Sequence, residues 1–161
     1  LKTMKKSILM AVSLLGMATA TMAQEKNANL RFDKGYTADV QLHVTAINAF
    51  HITSSHGWAF GNGLYLGGGA GFGAEWEGEG VEGTPHYVPS LFVDARWSML
   101  NKKISPFMDV KATQYIDLAE GKASYGVTPS VGVDMGRFSL GLGYAFRGDK
   151  SGLQLGVGFT F

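Results

Sequence analysis

The alternation of apolar and polar residues along this chain predicts β-strands. The last nine residues show the pattern most plainly, because Leu153, Leu155, Val157, Phe159 and Phe161 alternate with glutamine, glycine and threonine. Successive side chains of a strand point to opposite faces, so a period of two gives one apolar face and one small or polar face. A strand ending on an exposed phenylalanine is a liability in water, whereas in a bilayer the ring anchors at the interface.

The same alternation recurs in segments of about ten residues, the length with which a strand crosses an outer membrane. We predict strands at Gly35 to Thr45, Ala49 to His56, Leu64 to Trp76, Tyr87 to Met99, Ile104 to Leu118, Ser124 to Met135, Phe138 to Arg147 and Leu153 to Phe161. Tight turns are expected at 61–63, 101–103 and 136–137, and the longest connection at 77–86. An even number of strands returns the chain to the side where it started, as a closed barrel requires.

The polarity of the two faces predicts which one is outside. The second face carries glycine, serine, threonine and charged residues, which are too small and too polar for the core of a water-soluble barrel. The apolar face is therefore expected to contact lipid. We predict an all-β, eight-stranded, antiparallel, up-and-down transmembrane β-barrel. A soluble periplasmic ligand-binding barrel is the alternative, and it predicts folding without detergent.

The N-terminal segment predicts export. Lys2, Lys5 and Lys6 precede an apolar run at 8–15, and small residues follow as far as Ala23. This is the anatomy of a cleavable signal peptide, with cleavage after Ala23, or alternatively after Ala20. We therefore divide the chain into a signal peptide (1–23), a polar periplasmic lead-in (24–34) and the barrel (35–161).

Composition narrows the function classes. The chain has no cysteine, which excludes a disulfide scaffold and a thiolate metal site. Lys and Arg number 14 against 13 Asp and Glu, and the predicted signal peptide holds three of the lysines, so no basic excess points to nucleic acid. Glycine is unusually abundant, at 23 residues.

The chain resembles the small eight-stranded outer-membrane β-barrel proteins of the OmpA/OmpX-like type. The resemblance rests on the signal peptide, the terminal strand and segments such as Lys103-Ile-Ser-Pro-Phe-Met-Asp-Val-Lys111 and Thr128-Pro-Ser-Val-Gly-Val133. It implies localisation in the outer membrane of a Gram-negative bacterium, with outer-membrane lipid and the barrel assembly machinery as partners. It also implies that this machinery recognises the terminal strand through Leu155, Val157, Phe159 and Phe161.

A network of charges is predicted inside the barrel. If Lys102 and Lys103 form a two-residue turn, Arg96 lies opposite Asp109 and Asp94 lies opposite Lys111, all four on the inward face. Opposite charges directly across an antiparallel pair stabilise it, and buried charges need such partners. We interpret the network as a structural plug, with a gated ion or proton path as the alternative.

Three further patterns could indicate a metal, catalytic or cofactor site. Inward His43 and His51 face each other in a tight first hairpin, but no third metal ligand is evident, and polar filling of the lumen is the better account. In the 54–56 segment, Ser55 and His56 are strand neighbours on opposite faces, so a bulge or a hydrogen-bonded strand end is favoured over a nucleophile–base pair. The glycine run at 67–73 superficially matches a dinucleotide-binding motif, but no helix is expected to follow it.

We therefore expect an integral outer-membrane barrel with a structural or surface-interaction role and a lumen filled by side chains. No catalytic residue, metal or cofactor is assigned, and we expect that the protein is not an enzyme. The alternatives are a narrow ion or solute pore and a lipid-modifying outer-membrane enzyme.

Overall fold

The computed structural model describes residues 27–46, 49–77, 83–148 and 150–161. The predicted signal peptide lies outside the described residues. Within them, no helix is long and apolar enough to cross a membrane.

Eight antiparallel strands form a closed barrel in which each strand pairs with its neighbours in the sequence and β1 pairs with β8. This confirms the predicted up-and-down topology. The strands are β1 Gly35–Thr45, β2 Ala49–Ala59, β3 Leu64–Glu75, β4 His86–Ser98, β5 Ile104–Asp117, β6 Lys122–Met135, β7 Phe138–Ala145 and β8 Gly152–Thr160.

The predicted strand positions are confirmed, and most bounds differ by only one or two residues. The largest difference is in β2, which we predicted to end at His56 and which continues to Ala59. Its register with β1 and β3 runs without interruption from Ala49 to Ala59, so the bulge expected near Ser54 is absent. Inward and outward side chains simply keep alternating through the polar residues.

The barrel has two unlike ends. The turn end holds the short connections at 60–63, 99–103 and 136–137, together with the start of β1 and the end of β8. Gly61, Gly63 and Gly136 adopt φ of 84°, 87° and 68°, a conformation that glycine accepts without strain. The loop end holds the other connections, of which the longest joins β3 to β4.

Glycines on the inward face make room for aromatic side chains in the narrow lumen. A Cβ on Gly69 would lie 2.9 Å from the Phe92 ring. A Cβ on Gly132 would lie 2.6 Å from the Phe107 ring. The glycine run in β3 is therefore a packing feature, as expected from its alternation with apolar residues.

The segment predicted as a polar lead-in folds under the turn end. Residues Leu30–Phe32 form a single 3₁₀ turn whose N-cap, Asn29, accepts a hydrogen bond from the Arg31 N–H at 2.9 Å. The Arg31 carbonyl accepts from the Gly63 N–H at 3.3 Å, and Asn101 donates to the Asn27 side chain at 2.9 Å. These bonds tie the segment to two of the turns, and the Arg31 side chain is buried.

Candidate functional site: the lumen and the outer face

The outer face of the barrel is apolar on all eight strands. Val93 is 63% exposed and Tyr125 is 71% exposed, values that a water-soluble core residue would not show. Each strand contributes large apolar side chains to this belt, for example Val44, Ile52, Leu66, Val93, Val110, Val131, Leu142 and Leu155.

Exposed aromatic side chains cluster near both ends of the belt. Those near the turn end are Tyr36, Trp58, Phe60, Trp97 and Phe138. Those near the loop end are Phe50, Tyr87, Tyr125, Tyr144 and Phe146. Two aromatic girdles separated by an aliphatic band are the pattern expected where a barrel meets both interfaces of a membrane.

The inward face is polar and closely packed. Buried polar side chains come from every strand, for example Asp39, Thr53, Glu75, Asp94, Asp109, Thr128, Ser139 and Thr160. Two internal cavities of about 30 Å³ each lie in the lumen, one lined by residues including His51 and Arg147 and the other by residues including Arg96 and Asp109. Each of these cavities has room for one or two water molecules.

The predicted register of the lumen charges is confirmed, but the partners differ. Arg96 lies opposite Asp109 and Asp94 opposite Lys111 in the β4–β5 ladder. The ion pair of Arg96, however, is made with Asp134 of β6, one strand beyond β5. One carboxylate oxygen of Asp109 has no hydrogen-bond partner among the described residues. A long arginine side chain in a narrow barrel thus reaches past its ladder neighbour.

Asp94 and Lys111 also make their hydrogen bonds to other residues. Ser55 donates to the Asp94 carboxylate at 2.9 Å and Lys111 donates to the Gln41 side-chain oxygen at 2.9 Å. The Lys111 ammonium lies 4.9 Å from the centroid of the Phe92 ring. All four predicted residues are therefore buried in the lumen, and Asp94, Arg96 and Lys111 are held by partners on three further strands.

Each of three buried arginines is paired with both a carboxylate and an aromatic ring. Arg31, Arg96 and Arg147 form ion pairs with Asp39, Asp134 and Glu75 respectively. The guanidinium carbons lie 4.1, 3.6 and 4.0 Å from the ring centroids of Tyr65, Phe107 and Tyr115. Cation–π contact strengthens when both partners are desolvated, so these sandwiches stabilise charges that water cannot reach.

Sequence reasoning missed Arg31, although one signal pointed to it. Beyond the predicted network, the predicted inward face carries three further acidic residues, Asp39, Glu75 and Asp134. It carries one further cation, Arg147. This excess of buried acidic residues indicates that another cation is needed in the lumen. Arg31 supplies it from outside the strands, where alternation carries no information.

His43 and His51 are paired across β1 and β2, as predicted, but they contact different partners. The His43 ring nitrogens lie 2.8 Å from the Gln154 amide nitrogen and 3.4 Å from the Thr53 hydroxyl. His51 Nε2 lies 3.3 Å from a Glu75 carboxylate oxygen. Both histidines fill the polar lumen.

A cluster at the loop end was not singled out by the sequence. Glu77, His86 and Glu120 each offer one ligand atom, and these atoms lie within 4.8 Å of one another. His86 Nδ1 also lies 3.2 Å from the Asp117 carboxylate, and Glu120 pairs with Lys122 at 3.2 Å. Both glutamates are exposed, and local protein partners already engage His86 and Glu120.

The structure confirms that Ser55 and His56 face opposite sides of β2, and it reveals a different pair. Ser54, two residues before His56, shares its outward face, and its hydroxyl lies 3.0 Å from His56 Nε2. The other ring nitrogen, Nδ1, lies 2.5 Å from the Tyr36 hydroxyl. A period of two places residues i and i+2 on one face, so the alternation itself indicates that Ser54 and His56 are neighbours on the outer face.

The terminal strand closes the barrel. Leu155 and Val157 are exposed on the outer face, and the Phe159 ring packs edge-on against Phe138 and Phe161, with centroids 4.9 and 4.8 Å apart. The Phe161 N–H donates to the Ala38 carbonyl at 2.8 Å, which extends the β1–β8 ladder to the last residue.

Comparisons with known structures agree with the fold. The chain is similar to the N-terminal β-barrel domain of Pseudomonas aeruginosa OprF, with a TM-score of 0.53 and 13% identity over 80% of this chain and 100% of that chain. A de novo designed transmembrane β-barrel aligns with a TM-score of 0.48 and 13% identity over 78% of this chain and 94% of that chain. Neither family models nor curated proteins give a match. At these identities the likeness concerns the fold alone.

We expect Arg96→Met to lower the free energy of unfolding by about 3–5 kcal/mol, because it leaves the buried Asp134 carboxylate without its cation. Adding Asp134→Asn should recover more than about 1 kcal/mol of this loss, whereas adding Asp109→Asn should not. Urea unfolding of the barrel in detergent measures all variants. Lys103→Met, at an exposed turn position, is the control. Recovery by Asp109→Asn instead would assign the pair to the β4–β5 ladder.

Proposed function

We propose that this chain is an integral outer-membrane β-barrel protein with a structural or surface-interaction role and a lumen filled by side chains. The observation that carries the proposal is the reversal of the usual protein pattern, with an apolar outer face and a charged inner face on one closed sheet. Closure pairs the strand backbone, which makes such an arrangement stable in hydrocarbon.

The orientation follows from the two ends. We assign the turn end, where β1 begins and β8 ends, to the periplasm, and the loop end to the outside. The predicted signal peptide supports export across the inner membrane, and the resemblance to OmpA/OmpX-like barrels supports the Gram-negative outer membrane. The cavities, at about 30 Å³ each, argue against the pore alternative.

The partners are then outer-membrane lipid around the belt and the assembly machinery at the terminal strand. Leu155, Val157, Phe159 and Phe161 form the assembly signal in this proposal. Phe161 supports the assignment because its ring packs against Phe159 on the outer side while its backbone closes the ladder.

Folding and conductance test the proposal together. Residues 24–161 should give strand circular dichroism and a heat-sensitive compact gel band only with detergent micelles or lipid, because the belt needs an apolar solvent. In planar bilayers the folded barrel should give no discrete current steps, because the lumen is filled. A porin recorded in the same bilayers is the positive control.

Two outcomes contradict separate parts of the proposal. A stable monomeric β-protein in plain buffer would overturn the membrane assignment and revive the soluble ligand-binding barrel. Reproducible current steps from folded protein would overturn the filled lumen and favour the narrow pore.

Deleting Phe161 tests the assembly signal. In cells, the deletion should reduce the folded barrel in the outer membrane several-fold, while the purified variant still refolds in micelles. Phe60→Ser, which removes an exposed ring at the same end, is the control and should accumulate normally. Normal accumulation of the deletion variant would remove Phe161 from the signal, and failure to refold in micelles would assign it a purely structural role.

A further inference from the structure

A short chain of polar side chains crosses the apolar outer face of β1 and β2. The Ser54 hydroxyl lies 3.0 Å from His56 Nε2, and His56 Nδ1 lies 2.5 Å from the Tyr36 hydroxyl. Ser54 and His56 are both half-buried positions on the outer side of β2, and Tyr36 is exposed on β1. The lumen network uses none of these three residues.

We propose that Ser54 and His56 form an acyl-transfer site that cleaves ester bonds of membrane glycerophospholipids, with Tyr36 as a positioning residue. The inference rests on the proposed function, because these side chains meet lipid only if the barrel is inserted in a membrane. It goes beyond that function by adding a reaction.

The order of the three groups is that of nucleophile, base and orienting partner. With the proton on Nδ1, the imidazole donates to the Tyr36 oxygen and turns the lone pair of Nε2 toward the Ser54 hydroxyl. A serine hydroxyl becomes a useful nucleophile when an adjacent base accepts its proton. The Tyr36 ring also stacks beside the imidazole, with centroids 6.1 Å apart, and so fixes its plane.

Small residues lie beside the pair on its β3 side. Across the ladders, His56 has Gly68 on β3 and the buried Ala38 on β1, and Ser54 has Ala70 on β3 and Val40 on β1. Exposed larger side chains on β3 border the pair on the outer face, among them Leu66 and Phe72. Ser54 is only half-buried, so part of its surface remains open to an acyl chain lying along the belt.

The depth of Ser54 matches the ester bonds of a phospholipid. Tyr36 and Trp58 belong to the aromatic girdle near the turn end, and such rings lie at the level of the headgroups. Along β2, Ser54 lies four residues from Trp58 and two from His56, and its hydroxyl lies 3.0 Å from His56 Nε2, so the reacting atoms lie just inside the girdle. Headgroups give way to acyl chains at this level. The turn end faces the periplasm in our assignment, which selects the phospholipids of that leaflet.

The reaction balances with water as the co-reactant. The Ser54 oxygen attacks the ester carbonyl carbon while His56 Nε2 takes the hydroxyl proton, and the carbon–oxygen bond to glycerol then breaks. His56 returns the proton to the leaving glycerol oxygen, which releases a lysophospholipid. Water, deprotonated by His56, then attacks the acyl-serine ester and releases a fatty acid, and the proton returns to Ser54.

The strand setting predicts slow turnover. The backbone of Ser54 lies within the continuous ladders with β1 and β3, so ladder N–H groups are already engaged when the oxyanion forms. Donors aimed at the oxyanion usually contribute a factor of about 10²–10³ to kcat. Covalent capture of Ser54 is therefore the most sensitive measurement.

The experiment uses folded barrel in vesicles of phosphatidylethanolamine that carries a fluorescent acyl chain. A fluorophosphonate probe should form an adduct that mass spectrometry maps to Ser54, and labelled fatty acid should be released. Ser54→Ala should abolish both signals, and His56→Gln should reduce the labelling rate at least tenfold. Tyr36→Phe should lower kcat at least about tenfold with KM within about twofold, because the substrate still binds while the imidazole loses its orientation.

Matched controls separate this proposal from the fold. Tyr144→Phe removes a hydroxyl from an exposed tyrosine near the loop end and should leave both signals unchanged. Heat-dependent gel mobility shows whether each variant is folded. Folded wild-type barrel without a Ser54 adduct would overturn the proposal while leaving the membrane barrel intact, and so would fatty acid release that persists in Ser54→Ala. A wild-type chain that fails to fold in vesicles would instead overturn the proposed function.

Discussion

Closure of the ladder between β1 and β8 is the constraint on which the rest of the structure depends. Seven paired positions, from Asp39 with Thr160 to Thr45 with Gln154, join the first strand to the last. An open sheet would expose two rows of unpaired backbone groups, which hydrocarbon does not tolerate. Because closure removes both edges, the outer face is free to be mostly apolar, and most polar side chains collect inside.

A lumen of eight strands is narrow, and this width determines how the charges are arranged. Side chains from strands that are not neighbours meet, so Arg96 of β4 pairs with Asp134 of β6 and Arg147 pairs with Glu75 of β3. Inward glycines such as Gly69 and Gly132 admit the rings on which the cations rest. Polar groups thereby fill the interior, with each of the three buried arginines paired to a carboxylate, and the 27–34 segment adds Arg31 from the turn end.

The sequence predicted the features that a period of two and a hairpin register determine. Strand positions, the inward and outward faces and the opposition of Arg96 and Asp109 all follow from alternation and a tight turn. The Arg96–Asp134 pair did not follow, because it joins strands that are not neighbours and depends on the barrel diameter. Arg31 lies outside any periodic segment. The Ser54–His56 contact does follow from the alternation, because residues two apart on a strand share a face. The prediction had compared His56 with its immediate neighbour Ser55, which lies on the other face.

The position of the two tryptophans near the turn end gives the most direct test of the central claim, that the apolar face contacts lipid. Trp58 and Trp97 are about half exposed on the outer face. In vesicles containing brominated phospholipids, the fluorescence of a variant whose sole tryptophan is Trp58 or Trp97 should be quenched most strongly by bromines placed near the interface. Fluorescence unaffected by bromine at any depth would contradict the account, because the apolar belt would then lie outside the bilayer.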